Sequence, residues 1–226
     1  MNPSELWRVE LHSHTCFSPD SLARPEAILA ACRRRGIAKI AITDHNTIAG
    51  ALAAARLAPD LVIVGEEIMT DRGELIAWFV QEEVPRGLSP AATLARLREQ
   101  GAVIGIPHPL DGLRRSAMGA ETTLALLDQV DALEVFNARC LRSSDNEAAQ
   151  RLAVAHGKPG TAGSDAHTIG EIGMAIMRMP PFTDAETFRR SLAVAQYEGR
   201  LSGAHVHFYS QLAKHSKRFF RVGGGR

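Results

Sequence analysis

Two histidines one residue apart, His12 and His14, close the run Val9-Glu10-Leu11-His12-Ser13-His14. Side chains alternate along a strand, so both imidazoles fall on one face and could grip one metal ion. Asp20 follows a turn built from Ser18 and Pro19 and could reach back toward the same cavity. Further metal-capable residues recur along the chain. His45, Glu67, His108, Asp165 and His167 each sit at or just beyond the end of an extended run. Five of the nine histidines belong to this set. Imidazole offers a neutral nitrogen ligand, and carboxylates add charge and can bridge two cations. Such a set suits two or three divalent ions that lower the pKa of a shared water and clamp phosphoryl oxygens during an in-line displacement. No cysteine-rich tetrahedral cage is present, which argues against a structural zinc site. His156, late in a helix beside Gly157, reads as a helix-end residue. His205 and His207 form a second HxH that reads as structural.

These residues need elements that bring them together. Strands are expected at 7–12, 39–43, 61–64, 74–80, 102–106, 132–136, 159–163 and 173–179. Helices are expected at 25–35, 47–57, 89–100, 120–129, 144–156 and 184–196. Pro25 and Pro90 suit first helical turns, Ser89 a cap, and Gly36 a helix end. Asp71-Arg72-Gly73 marks a hairpin. Alternating β and α units point to a parallel sheet with covering helices, closed or nearly closed as a barrel. In such a barrel the C-terminal strand ends surround one mouth, where active sites are found. Glu66 is expected to face outward, opposite Glu67.

Composition sets limits. The 226 residues suffice for one sizeable core, and 45% apolar with 23% charged residues favours an ordered globular domain. A formal net charge of +1 argues against a chain-wide basic surface for duplex nucleic acid. Cys16, Cys32 and Cys140 show no CxxC spacing, as expected of a reducing cytoplasm. Met1–Glu5 lacks a signal-peptide pattern, and no apolar run reaches membrane-spanning length. The reading is a barrel domain over 1–198 and a basic C-terminal tail over 199–226, with Gly223-Gly224-Gly225-Arg226 frayed.

In order, His12-Ser13-His14 with Asp20, Thr43-Asp44-His45-Asn46, Gly65-Glu66-Glu67-Ile68, Ile106-Pro107-His108-Pro109 and Gly163-Ser164-Asp165-Ala166-His167 resemble the successive motifs of the PHP (polymerase and histidinol phosphatase) superfamily. The resemblance spans about residues 7 to 179. It implies an α/β fold, a distorted seven-stranded (β/α)7 TIM-like barrel, with a trinuclear metal centre and phosphoesterase activity. It implies that His12, His14, Glu67 and Asp165 hold a first ion, that Glu67 bridges to a second held by His108, and that Asp20, His45 and His167 hold a third. It places the catalytic machinery on His12, His14, Glu67, Asp165 and His167. One departure stands out. Where the family carries another histidine after the bridging glutamate, this chain offers Glu74, which as a ligand would favour manganese or iron over zinc.

Arg114 and Arg139 are candidate phosphate contacts, since guanidinium suits bidentate anion binding. Asn46 and Asn137 could orient a ligand. The expected substrate is a phosphomonoester or phosphodiester, a nucleotide, a short oligonucleotide end or a small phosphorylated metabolite, attacked by a metal-bound hydroxide. Two alternatives remain. One is an amidohydrolase-type barrel, but Lys39, Lys158, Lys214 and Lys217 stand poorly for a carboxylated-lysine bridge. The other is a non-catalytic, metal-stabilised interaction domain. Short insertions after Glu67 and His108 predict an open, shallow mouth.

Overall fold

The computed structural model describes residues 6–223, with side chains described as far as Lys217. The Met1–Glu5 start, the Gly224–Arg226 end and the side chains of Arg218 and Arg221 lie outside the described residues.

Nine strands and seven helices occur among the described residues. β1 (Trp7–Glu10), β2 (Lys39–Ile42) and β3 (Val62–Met69) run parallel, with α1 (Pro25–Arg34) and α2 (Ala49–Leu57) between them. β4 (Glu74–Trp78) pairs antiparallel with β3, and α3 (Pro90–Glu99) leads to β5 (Val103–Ile106). α4 (Ala120–Leu126), β6 (Ala132–Asn137), α5 (Ser143–Ala155) and β7 (Gly160–Gly163) follow. β8 (Ala175–Met179), α6 (Ala185–Leu192), β9 (Gln196–Gly199) and α7 (His205–Gly223) complete the fold. The sheet order is β7-β6-β5-β4-β3-β2-β1-β8-β9. Beyond β1 and β7, a parallel bridge between Ser13 and Ala166 brings the two sides together at the mouth. The sheet is a nearly closed barrel.

Two expectations change. The sheet is mixed rather than parallel: β4 runs against both neighbours, through the expected hairpin, and β8 runs against β1 and β9. The turn is tight enough for a hairpin, so no crossover helix is needed. The Thr70 N–H donates to the Gly73 carbonyl at 2.9 Å. At Gly73, φ is +135°, and a Cβ would stand 2.7 Å from Met118 Cα, so glycine is required. The strand count also exceeds seven. β3 continues through Gly65–Met69 to complete its hairpin, and β9, short and mostly exposed, lacks the alternation that marks a strand.

Local chemistry explains the helix ends. Ser89 Oγ accepts the Ala92 N–H at 3.2 Å, and Asp184 with Thr187 forms a capping box on α6. Alternate strand residues (Val9, Leu11, Ala41, Ile63, Ile76, Trp78, Val103, Met177) pack together and against Phe182 and Phe188. Trp78 Nε1 donates to the Leu11 carbonyl at 2.9 Å. The interior is a packed core, which leaves the mouth as the place for chemistry.

Candidate metal centre

β3 carries Glu67 and β4 begins with Glu74. Because the two strands are antiparallel, the end of one and the start of the other meet at the same rim. His12 and His14 follow β1, His45 follows β2, His108 follows β5, and Asp165 and His167 follow β7. Asn46, His108 and Asp165 adopt φ of 55°, 30° and 50°. Left-handed backbone at non-glycine residues is costly, and among the described residues three of the four such positions stand at the rim, Phe79 beyond β4 being the fourth.

The side chains converge. His12 Nε2 lies 3.4 Å from Glu67 Oε1 and 3.7 Å from Asp165 Oδ1. His14 Nε2 lies 3.5 Å from Glu67 Oε2 and 3.3 Å from Asp165 Oδ1. His108 Nε2 is 3.0 Å from Glu67 Oε1 and 3.7 Å from Glu74 Oε2. His45 Nδ1 is 2.9 Å from Glu67 Oε2 and 3.6 Å from Glu74 Oε1. Asp20 stands 3.3 Å from His167 Nε2 and 3.5 Å from His45 Nε2.

Ring orientation is set from behind. His12 Nδ1 is 2.9 Å from Glu134 Oε1. The Ser18 hydroxyl donates to Asp44 at 2.8 Å, so its oxygen accepts from His14 Nδ1 at 3.1 Å. His167 Nδ1 donates to the Asp165 carbonyl at 2.7 Å. With Nδ1 of each ring engaged from behind, each Nε2 is turned toward a carboxylate. Gly163 makes the first of these possible. A Cβ there would lie 2.3 Å from His12 Cβ and 2.5 Å from Glu134 Oε1.

Electrostatics follow from burial and sign. Burial opposes protonation of His12, but Glu134, Glu67 and Asp165 outweigh it and hold the ring well above the usual histidine range. Burial, with His167 and His45 beside it, pushes His14 down to about 3. Burial would raise Asp165, yet Arg114 and His12 hold it well below the usual carboxylate range. Burial and the neighbouring Glu67 raise Glu74.

The donor set fits divalent cations. Ligand atoms of His12, His14 and Asp165 lie within 4.8 Å of one another, as do those of His12, Glu67 and His108. The same holds for His14, His45 and His167, and for His45, Glu67 and Glu74. Among the described residues, His12 Nε2, His14 Nε2, Asp20 Oδ1 and Asp165 Oδ1 are buried without a hydrogen bond. Cations would complete those valences.

Residues 10–130 match the model of the PHP domain, and residues 143–196 match that of the PHP-associated family. The chain belongs to the PHP family. It is 38% identical over 175 residues to the uncharacterized protein MJ0417 of Methanocaldococcus jannaschii, covering 76% of this chain and 70% of that protein. It is also 38% identical over 144 residues to MJ1587 of the same organism, covering 58% and 82%. Among solved structures, a candidate metal-dependent phosphoesterase from Bifidobacterium adolescentis matches with a TM-score of 0.62 at 19% identity, covering 81% of this chain and 95% of that one. A lesion-specific endonuclease from Pyrococcus furiosus matches at 0.59 and 16%, covering 85% and 57%. These two likenesses concern the fold.

Within this PHP barrel, all nine candidate ligands stand at the mouth. Asn46, Arg114 and Arg139 line the same cavity of about 490 Å³, and each already holds a group of the protein. Asn46 Oδ1 accepts the Met69 N–H at 2.8 Å. Arg114 reaches Asp165 Oδ2 at 2.7 Å. Arg139 is buried, and donates to Ser210 Oγ at 2.8 Å and the Val206 carbonyl at 3.1 Å. Asn137 donates to Glu134 at 2.9 Å and Asp165 at 3.3 Å, so it orients carboxylates. Glu66 does face away from the site but is buried, accepting the Val84 N–H at 3.0 Å. His207 lines the cavity and bonds the Arg139 carbonyl at 3.1 Å.

Sequence reading missed Glu134, Asp44 and Glu10. Glu10 accepts N–H groups from His12 at 3.2 Å and from Ser164 and Gly173 at 3.0 Å, tying β1 to the β7 loop. For Glu10 and Glu134 a signal was present, a carboxylate within a strand, which burial makes costly unless partnered, whereas Asp44 lies beyond β2 in the loop before His45. α7 was also missed as a wall of the mouth. Ser210, Gln211 and Lys214 border the cavity, so the site is less open than expected.

Proposed function

We propose that the chain is a metal-dependent phosphoesterase that hydrolyses a phosphomonoester or phosphodiester. The observation that carries this reading is Glu67, a fully buried carboxylate that lies between His12 and His14 of the first proposed group and His108 of the second, with His45 at its other oxygen. In this reading His12, His14, Glu67 and Asp165 hold one ion. Glu67, His108 and Glu74 hold a second, and Asp20, His45 and His167 a third. Bound divalent ions lower the pKa of water and neutralise phosphoryl charge. Manganese or iron suits the extra carboxylate of Glu74.

The remaining work falls to the chain. Glu134, Ser18 and the Asp165 carbonyl fix the imidazoles as Nε2 ligands. Arg114 takes Asp165 Oδ2, which leaves Oδ1 toward His12 and His14. Lys39 and Lys158 donate to the carbonyls of Asp60 and Val130, away from Glu67, which weakens the amidohydrolase alternative. Three free cysteines support a cytoplasmic setting, and among the described residues no helix is long and apolar enough to cross a membrane.

Manganese-reconstituted protein should be assayed on mononucleotides, nucleoside 3′,5′-bisphosphates, histidinol phosphate and short RNA. Release of phosphate or nucleotide that Asp165→Asn abolishes is the expected result. No turnover by protein shown to carry its metals would overturn the reading for these substrates.

A further inference from the structure

α7 crosses the rim with one face toward the cavity. His207, Ser210, Gln211 and Lys214 recur at helical three- and four-residue spacing, and all four line it. The helix is tied down on two sides. The Arg139 guanidinium holds the Val206 carbonyl and the Ser210 hydroxyl, from the loop after β6. Lys217 Nζ donates to the Cys16 carbonyl at 2.6 Å and to the Ser18 carbonyl, in the loop after β1. α7 therefore straddles the mouth between two loops that carry site residues.

Four Arg and Lys side chains line the cavity and divide by what they hold: Arg86 is exposed in the segment before α3 and, among the described residues, pairs with none of the candidate ligands. Arg139 is spent on docking α7, and Arg114 on Asp165 and Asp111. Lys214 differs. Its side chain is 47% exposed, and its ammonium lies 3.2 Å from Asp20 Oδ2. An ammonium carries three donors on a flexible four-carbon stem, and among the described residues the partner of this one is Asp20. It stands beside the metal-ligand floor rather than within it.

We infer that Lys214 is the substrate-binding cation of this site and α7 its specificity wall, gripping the terminal phosphate of a small or chain-end substrate. Arg139 is the positioning residue that docks the wall. The inference rests on the phosphoesterase reading and deepens it. A helix across the rim excludes the interior of a long duplex, while about 490 Å³ suits a nucleotide-sized ligand.

The test is calorimetric titration of inorganic phosphate into the manganese-loaded full chain, comparing the native protein with Lys214→Ala and Lys214→Arg. Lys214→Ala should weaken phosphate binding about tenfold at unchanged manganese content, and Lys214→Arg should stay within about threefold. Equal binding by the Ala variant, no binding by the native protein, or an Arg variant as weak as Ala would overturn the inference. Loss of manganese along with phosphate affinity would assign Lys214 to the metal floor and overturn it too. Substrate turnover is a separate readout: lysine-dependent phosphate binding without turnover would sink the phosphoesterase reading and leave Lys214 as a phosphate contact.

Discussion

The floor and the wall of the mouth are built differently. On the floor, His12, His14, Glu67, His108 and Asp165 are at most 2% exposed. They stand on strands or immediate strand ends, with partners such as Glu134 and Asn137 behind them. The wall is one helix joined to the barrel through Arg139, His207 and Lys217, with Lys214 half in solvent. Chemistry that needs several donors within a few ångströms is placed on strands, whose ladders fix the backbone. The wall stands one step removed from those donors, linked to them through the Lys214–Asp20 pair and the Lys217 bonds to the loop after β1.

Four experiments would break or sharpen that contrast. Asp165→Asn takes a proposed ligand from the floor and should lower kcat at least about a thousandfold, read by phosphate release at saturating manganese. Glu134→Ala leaves every ligand in place but frees the His12 ring and the His108 backbone N–H. Manganese affinity should fall about 10–100-fold, measured by chelator competition. An unchanged affinity would show that the floor needs no support from behind.

A change in the wall should behave otherwise. Ser210→Ala removes the hydroxyl that Arg139 holds, and should raise KM about threefold with kcat unaltered while α7 amides exchange faster. A fall in kcat instead would mean that floor and wall are one unit.

The smallest effect concerns stability alone. Burial pushes Glu66 up to about 8, above the 4.5 of the free side chain. The folded state therefore binds this proton more tightly. The resulting stabilisation is complete below about 4.5 and is lost as pH rises through 8. Glu66→Gln should match the native protein at pH 5 and melt about 2–4 °C higher at pH 9, read by circular dichroism. An equal difference at both pH values would refute the assignment.

Much of the floor was legible beforehand because its residue types are expensive to place elsewhere. Histidines and carboxylates that end apolar runs have few structural uses, and HxH spacing on an extended chain fixes a shared face. Even Glu74 was legible as a departure from the family pattern. Asp71-Arg72-Gly73 marked the reversal of β4, but the reversal of β8 was not legible, because an apolar run reads the same in either direction. Glu134 was not, since one carboxylate in a strand does not reveal which histidine lies across the barrel. Arg139 looked like a phosphate contact. Only the packing of α7, 67 residues further along at Val206, shows that its guanidinium holds the helix.

By itself, then, the amino-acid order pointed to the elements as far as α6, to the family and to the candidate donors at the floor, because periodicity and residue chemistry are local properties. The tertiary structure decided that Glu74 meets His45 and His108 at the rim, that Glu134, Ser18 and a backbone carbonyl orient the imidazoles, and that α7 returns to wall the mouth. Those outcomes depend on contacts between residues up to some two hundred positions apart, as between Lys217 and Cys16, and no local pattern encodes them.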